Sequence, residues 1–153
     1  MKSAETAMLN EFKAKFRVEE LKVLENESWS WSVRPAQATL GSGILSLNRY
    51  ALQLSDVTPG EMMDLGSMVG VLEKSIKVAF GHNIMNYLVL MMVDHHVHYH
   101  VIPRYDGART FAGLEWVDKG WPALPEIGEN QHADKPELLR SLQEKLASST
   151  LTI

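Results

Sequence analysis

The sequence predicts an α+β fold: an antiparallel sheet packed on one long helix, with shorter helices at the two ends. Three features carry that expectation. Ser28-Trp29-Ser30-Trp31-Ser32-Val33 alternates strictly, which places Trp29, Trp31 and Val33 on one face of a strand. Leu65, Met68, Leu72, Ile76 and Phe80 keep a 3.6-residue period, the apolar stripe of a helix that needs a sheet to cover. Residues 84–93 are almost wholly apolar, and only Asp94-His95 separates them from a second strand-like run, residues 96–102.

The elements follow in order. Leu9, Phe12 and Phe16 fall at helical spacing, with Lys13 and Lys15 elsewhere on the wheel, so a short amphipathic helix is expected over residues 5–16. The Trp29/Trp31 strand ends at Arg34-Pro35, because proline has no amide for the ladder. Gly41-Ser42-Gly43 signals a turn, and Ile44-Leu45-Ser46-Leu47 is the next strand. Thr58 can cap the long helix, Pro59 suits its first position, and Glu61 completes a capping box. Gly81 stands where a left-handed C-cap belongs. Residues 84–93 read as a buried strand, Asp94-His95 as a hairpin turn, and residues 96–102 as a strand ending before Pro103. Beyond Arg104, Trp116, Trp121, Pro122 and Pro125 among glycines predict an irregular segment packed by its aromatics. Asp134-Lys135-Pro136-Glu137 can open a last helix, on which Leu138, Leu142 and Leu146 share a face.

Composition narrows the function. A chain of 153 residues, 45% hydrophobic and 22% charged, suits one soluble globular domain over 1–153. Fifteen Lys+Arg against nineteen Asp+Glu leave a formal charge of -4, so no general electrostatic surface for nucleic acid is expected. The absence of cysteine excludes disulfides and Cys-ligated zinc or iron–sulfur sites, and fits a reducing compartment. No apolar run approaches the ~20 residues of a membrane span, and the first residues show no signal-peptide core. A cytoplasmic protein without membrane or nucleic-acid partners is the expectation.

Four of the six histidines lie between positions 95 and 100. In a strand, His96, His98 and His100 point the same way, successive rings ~6.6–7 Å apart, while Val97, Tyr99 and Val101 face the helix. Three imidazoles fill a core poorly, since each brings two polar nitrogens that must be satisfied. Three readings stay open on these residues alone: a solvated strand face, a metal site, or catalysis on a phosphate. Ligands on one strand lie along a line, whereas a tetrahedral ion wants them to converge, and Asp94 is the only close acidic helper. Neutral imidazole is a nucleophile near pH 7, and its neighbours can stabilise phosphate charge.

His96-Val97-His98-Tyr99-His100-Val101-Ile102 resembles the motif of the histidine-triad family, His-φ-His-φ-His-φ-φ, without a gap, and Pro103-Arg104 follows as in many members. Residues 40–49 (Leu-Gly-Ser-Gly-Ile-Leu-Ser-Leu-Asn-Arg) resemble the family's earlier strand, Pro-Gly-His-φ-φ-φ-x-Pro-x-Arg. The resemblance covers about residues 23–105 and leaves 106–153 as a C-terminal extension. It implies a small α+β domain that pairs as a homodimer, and an enzyme acting at the α-phosphate of a nucleotide conjugate. By position, His98 is then the nucleophile that forms a nucleotidyl-histidine, cleaved next by water. His96 and His100 hold and neutralise the phosphate and help the leaving group depart. The attack itself requires no cofactor, although a divalent metal can accompany the substrate. Dinucleoside polyphosphates are the first substrate class and nucleoside phosphoramidates the second. The alternatives are a slow nucleotide-binding module of the same fold and a His-rich metal-binding protein.

The chain departs from the family's pattern at several places. Met91-Met92-Val93 stand where two branches carry Gly-Gln-Ser or Gly-Gln-Thr, and the phosphate-contacting loop reads as shortened to a hairpin. Ser42 replaces the usual His and Leu47 the usual Pro. Arg34 falls near the place of a nucleoside-contacting Asn, where it could grip phosphate bidentately or simply end the strand. Arg34 and Ser42 are expected on the rim of a nucleoside monophosphate pocket. Asn86, the one amide in residues 84–93, could orient a triad histidine or make a structural bond. A two-residue turn puts it opposite the triad, and a three-residue turn puts it alongside. Arg104 could reach a distal phosphate or be a solvated strand end.

Overall fold

A computed structural model of the chain describes residues 2–151. Alternating side chains sort a five-stranded antiparallel sheet into two unlike faces. Its strands are β1 (Lys22–Glu25), β2 (Trp29–Val33), β3 (Gly43–Leu47), β4 (Ile84–Leu88) and β5 (His98–Arg104), in the order β1-β2-β3-β5-β4. The helices are α1 (Lys2–Phe16), α2 (Pro59–Phe80) and α3 (Glu137–Thr150), and the fold class is the α+β expected. Trp29, Trp31, Val33, Leu45, Leu47 and Val101 form a core with Leu65, Met68, Leu72, Ile76 and Phe80 of α2 and with Leu138, Leu142 and Leu146 of α3. Each such side chain contributes roughly 1.5–3 kcal/mol on burial, so the stripe holds α2 on the sheet.

The ends of α2 are built as the sequence predicts. The Thr58 hydroxyl accepts from the Glu61 amide at 3.2 Å, and the Glu61 carboxylate accepts from the Thr58 amide at 2.9 Å. Gly81 caps the far end at φ 65°, a conformation glycine adopts without strain. No helix among the described residues is long and apolar enough to cross a membrane.

Four expectations are corrected. The apolar run 84–93 is not one buried strand: β4 stops at Leu88, lies at the sheet edge, and leaves Met92 and Val93 about four-fifths exposed. Asp94-His95 is not a hairpin turn, because residues 89–97 form an irregular connection between β4 and β5. The reason lies in Val97, whose amide donates to Ala51 O (2.9 Å) and whose carbonyl accepts from Leu47 N (3.2 Å), drawing the chain toward the end of β3 rather than along β4. β5 therefore starts at His98, and it runs through Pro103, which pairs with Met85. The segment after β5 also contains a small hairpin, β6 (Arg109–Phe111) with β7 (Leu114–Trp116), where an irregular segment was expected.

That segment is anchored by polar groups as well as by Trp116. Arg104, almost fully buried, donates to Asp118 at 2.7 and 3.2 Å and to Ala123 O at 2.8 Å, and Asp118 also accepts from Tyr105 N.

Candidate active site

β5 presents His98 and His100 on the face away from α2, with Tyr99 and Val101 on the α2 side as expected. Register adds Ile44 and Ser46 of β3, paired with His100 and His98, and Leu88 and Asn86 of β4, paired with His100 and Ile102. This face is not open. Helix α1 lies over it, with the Phe12 ring 4.9 Å from both His96 and His98, and Phe16 5.6 Å from His98 and 6.2 Å from His100. Phe12, Val18 and Ile44, with Phe16, form a second small apolar cluster. His96 and His98 are each 2% exposed.

The hydrogen bonds assign a proton to each ring. The Nδ1 of His96 accepts from Ala51 N at 3.3 Å, so its proton sits on Nε2 and is donated to Leu47 O at 2.8 Å. Both nitrogens are engaged, and the ring stacks on Tyr50 at 5.5 Å and 8°. His96 ties β3 to the start of β5 and has no free nitrogen for a phosphate, contrary to its expected flanking role. For His98, Nδ1 lies 2.6 Å from His96 O, an acceptor only, so Nδ1 carries the proton and Nε2 keeps its lone pair. For His100, Nδ1 accepts from Arg34 Nε at 3.2 Å, so its proton is on Nε2. The two rings stand 5.0 Å apart at 70°.

Burial is the main cause that lowers the pKa of all three histidines. For His100, the Arg34 charge adds to burial and the pKa falls to about 4. The rings are therefore neutral at pH 7. Positive charge reaches them from Lys13 toward His96, from Lys15 and Arg34 toward His98, and from Arg34 toward His100; the Arg34 Nη1 is held by the carbonyls of Ala36 (2.9 Å) and Ile127 (3.3 Å).

Ser42 is not on a pocket rim. It is fully buried, and its hydroxyl donates to Thr39 O and accepts from Thr39 N, which closes the turn before β3. Asn86 does lie on the histidine face, but its Oδ1 accepts from Arg104 Nη1 at 2.7 Å rather than from a triad ring. Arg104 reaches no phosphate: its donors are taken up by Asp118, Asn86 and Ala123. Sequence reasoning did not assign Lys15 of α1, which donates to both oxygens of Asp94 at 2.8 Å and ties α1 to residues 89–97. Beside His96 a cavity of about 200 Å³ is lined by Phe12, Lys15, Tyr50 and Asp94. Only the helical spacing of Phe12 and Phe16 hinted at a helix here, and nothing local showed which face it covers. Among the described residues, no group of three or more His, Asp or Glu side chains converges as metal ligands.

No family model matches the sequence, and no curated protein matches it. Solved structures do. A hypothetical histidine triad nucleotide-binding protein from Sulfolobus tokodaii superimposes with a TM-score of 0.63 at 19% identity, over 86% of this chain and 84% of that one. A histidine triad protein from Sinorhizobium meliloti gives 0.61 at 18% identity, over 87% and 93%. A uridylyltransferase gives 0.56 at 18% identity, over 98% of this chain but 50% of its own length. The chain has the histidine-triad fold, and its likeness to the uridylyltransferase extends past β5 into the C-terminal extension.

Proposed function

We propose that this protein moves a nucleotidyl group through a covalent intermediate on His98. The observation that carries the reading is the 2.6 Å contact of His98 Nδ1 with His96 O, which assigns the proton to Nδ1 and leaves Nε2 as a neutral nucleophile beside the donor His100. The Nε2 lone pair attacks the α-phosphorus of a nucleotide conjugate. The bond from phosphorus to the leaving group breaks, and the leaving group takes the electron pair and then a proton from solvent. The imidazolium that results keeps its Nδ1–H on His96 O, so the bond that set the tautomer also steadies the intermediate. Water then attacks the phosphorus, the P–N electron pair returns to Nε2, and the water's proton passes to solvent, which restores neutral His98. The His100 Nε2–H is the donor suited to the phosphate oxygens, with Arg34 behind it on Nδ1. Hydrolysis of dinucleoside polyphosphates or nucleoside phosphoramidates is the favoured chemistry, and the attack itself needs no metal. A divalent ion can accompany the substrate. The protein works as a cytoplasmic homodimer.

The second reading, a slow nucleotide-binding module, is favoured by the cover of Phe12 and Phe16 over His98. One experiment separates the two. Adenosine, guanosine and uridine conjugates of both classes are incubated with the protein, with and without EDTA, and released monophosphate is measured. Release, with an acid-labile nucleotidyl adduct mapping to His98 in quenched samples, supports the enzyme. Monophosphate binding without turnover of any conjugate would leave the binding module.

A further inference from the structure

We infer that Arg34 is a positioning residue, not a phosphate clamp: its Nε–H holds Nδ1 of His100 and so fixes Nε2–H as the donor that His100 offers beside His98. The inference rests on the nucleotidyl-transfer reading above.

The guanidinium has two edges through which it can grip a phosphate, one formed by Nε and Nη2 and the other by Nη1 and Nη2. The first is committed to His100 through Nε at 3.2 Å. The second is committed through Nη1 to two backbone carbonyls, Ala36 O at 2.9 Å and Ile127 O at 3.3 Å. A bidentate grip on an anion would break one of these sets. The backbone of Arg34 is fixed as well, since its amide donates to Ser42 O at 2.9 Å and its carbonyl accepts from Gln37 Nε2 at 2.7 Å. Among the described residues no carboxylate forms an ion pair with Arg34, so its charge stays available to oppose a proton on His100.

The consequence for His100 is chemical. Free imidazole exchanges between two neutral tautomers, and in one of them Nε2 is an acceptor that would repel a phosphate oxygen. A cationic donor at Nδ1 removes that tautomer. It also disfavours the imidazolium, so His100 acts as a neutral hydrogen-bond donor rather than as a cation. Ile127 lies beyond β5, and through Arg34 the later part of the chain is linked to His100.

The test is nitrogen-15 NMR of the histidine rings in the full chain, joined to kinetics on adenosine phosphoramidate. In the wild type, Nδ1 of His100 is expected to be unprotonated and Nε2 protonated at neutral pH. Arg34→Met should bring in the other tautomer and lower kcat roughly tenfold to a hundredfold, with KM within about threefold. Arg34→Lys, which keeps the charge without the planar fork, should fall between. A proton on Nδ1 of wild-type His100 overturns the inference, and that measurement needs no variant to fold. So does a folded Arg34→Met protein that raises KM and leaves kcat and the tautomer alone, since that is how a phosphate clamp behaves. If the tautomer is as expected but no conjugate turns over, nucleotidyl transfer fails while Arg34 stands as the residue that positions His100 in a binding site.

Discussion

The position of one proton on His98 decides what its strand can do. With Nδ1–H held by His96 O, the ring keeps its lone pair on Nε2, the nucleophile of the proposed mechanism, and Asn at this position keeps a polar side chain without that lone pair. His98→Asn should therefore retain adenosine monophosphate binding and lose turnover by about three orders of magnitude. Near-wild-type release of monophosphate by the variant would refute the assignment. The same burial has a cost in acid. His96, His98 and His100 all have lowered folded-state pKa values, His100 down to about 4 from 6.5. Between those values the unfolded chain binds protons that the folded chain refuses, so stability rises with pH across that window and falls as pH drops through it. The thermal midpoint should decline from pH 6.5 toward 4, and a midpoint that held level or rose on acidification would contradict neutral buried rings. His98 and His100 were legible in the sequence because alternation along a strand is local. The duties of His96, Ser42, Asn86 and Arg104 were not legible, because most of their partners (Leu47 and Ala51 for His96, Asp118 for Arg104) are far along the chain. Ser42 is the exception: its partner Thr39 is three residues away, and a Thr-x-x-Ser turn was readable.

Helix α1 and the connection 89–97 meet over the histidines, and the Lys15–Asp94 pair is the polar tie between them. In the proposed reaction, substrate phosphorus approaches His98 Nε2 closely, yet Phe12 and Phe16 stand over that ring. On that mechanism, access calls for α1 or the connection to shift. Lys15 is half-exposed, so the pair is worth no more than about 1 kcal/mol. Lys15→Met and Asp94→Asn should each speed carbethoxylation of His98 by diethyl pyrocarbonate about two- to fivefold, read by mass spectrometry. Unchanged protection of His98 in both variants would show that the tie does not govern access. The spacing of Phe12 and Phe16 was enough to place this helix. What it covers was hidden, since an amphipathic stripe states that a face is buried and not against what. The apolar run 84–93 misled for a related reason. Periodicity does not separate a buried strand from an edge strand that continues into an exposed apolar loop, and the difference arose from Val97 bonding to Ala51 and Leu47.

Two features bear on the molecule as an assembly. Arg104 and Asp118 form a pair almost wholly removed from water, and they bind the C-terminal extension to β5. Asp118→Ala would leave a buried guanidinium without its counter-charge, at a cost of about 3–5 kcal/mol. A urea midpoint shifted by less than a kcal/mol equivalent would show that the extension is held by its aromatics instead. The other feature is the free edge of the sheet. Among the described residues β4 is paired on one side only, with β5, and so presents a free strand edge along the other. Ile84 on that strand is 52% exposed, and Leu90, Met92 and Val93 just after it are exposed at 46%, 79% and 80%. Proteins that keep such an edge solvated usually blunt it with lysine, proline or a bulge, and residues 84–93 contain no lysine and no proline. A second copy meeting this edge across a two-fold axis would pair the two edges and bury the apolar side chains together, a self-complementary contact of the kind that closed dimers use. Sedimentation at micromolar concentration should therefore show a species of twice 17.2 kDa. Ile84→Lys combined with Met92→Lys puts charge on the edge and on the exposed run, and it should shift that species to the monomer with the fold intact by circular dichroism. A wild-type protein that sediments only at 17.2 kDa, or a double variant that remains dimeric, would place the contact elsewhere or remove it.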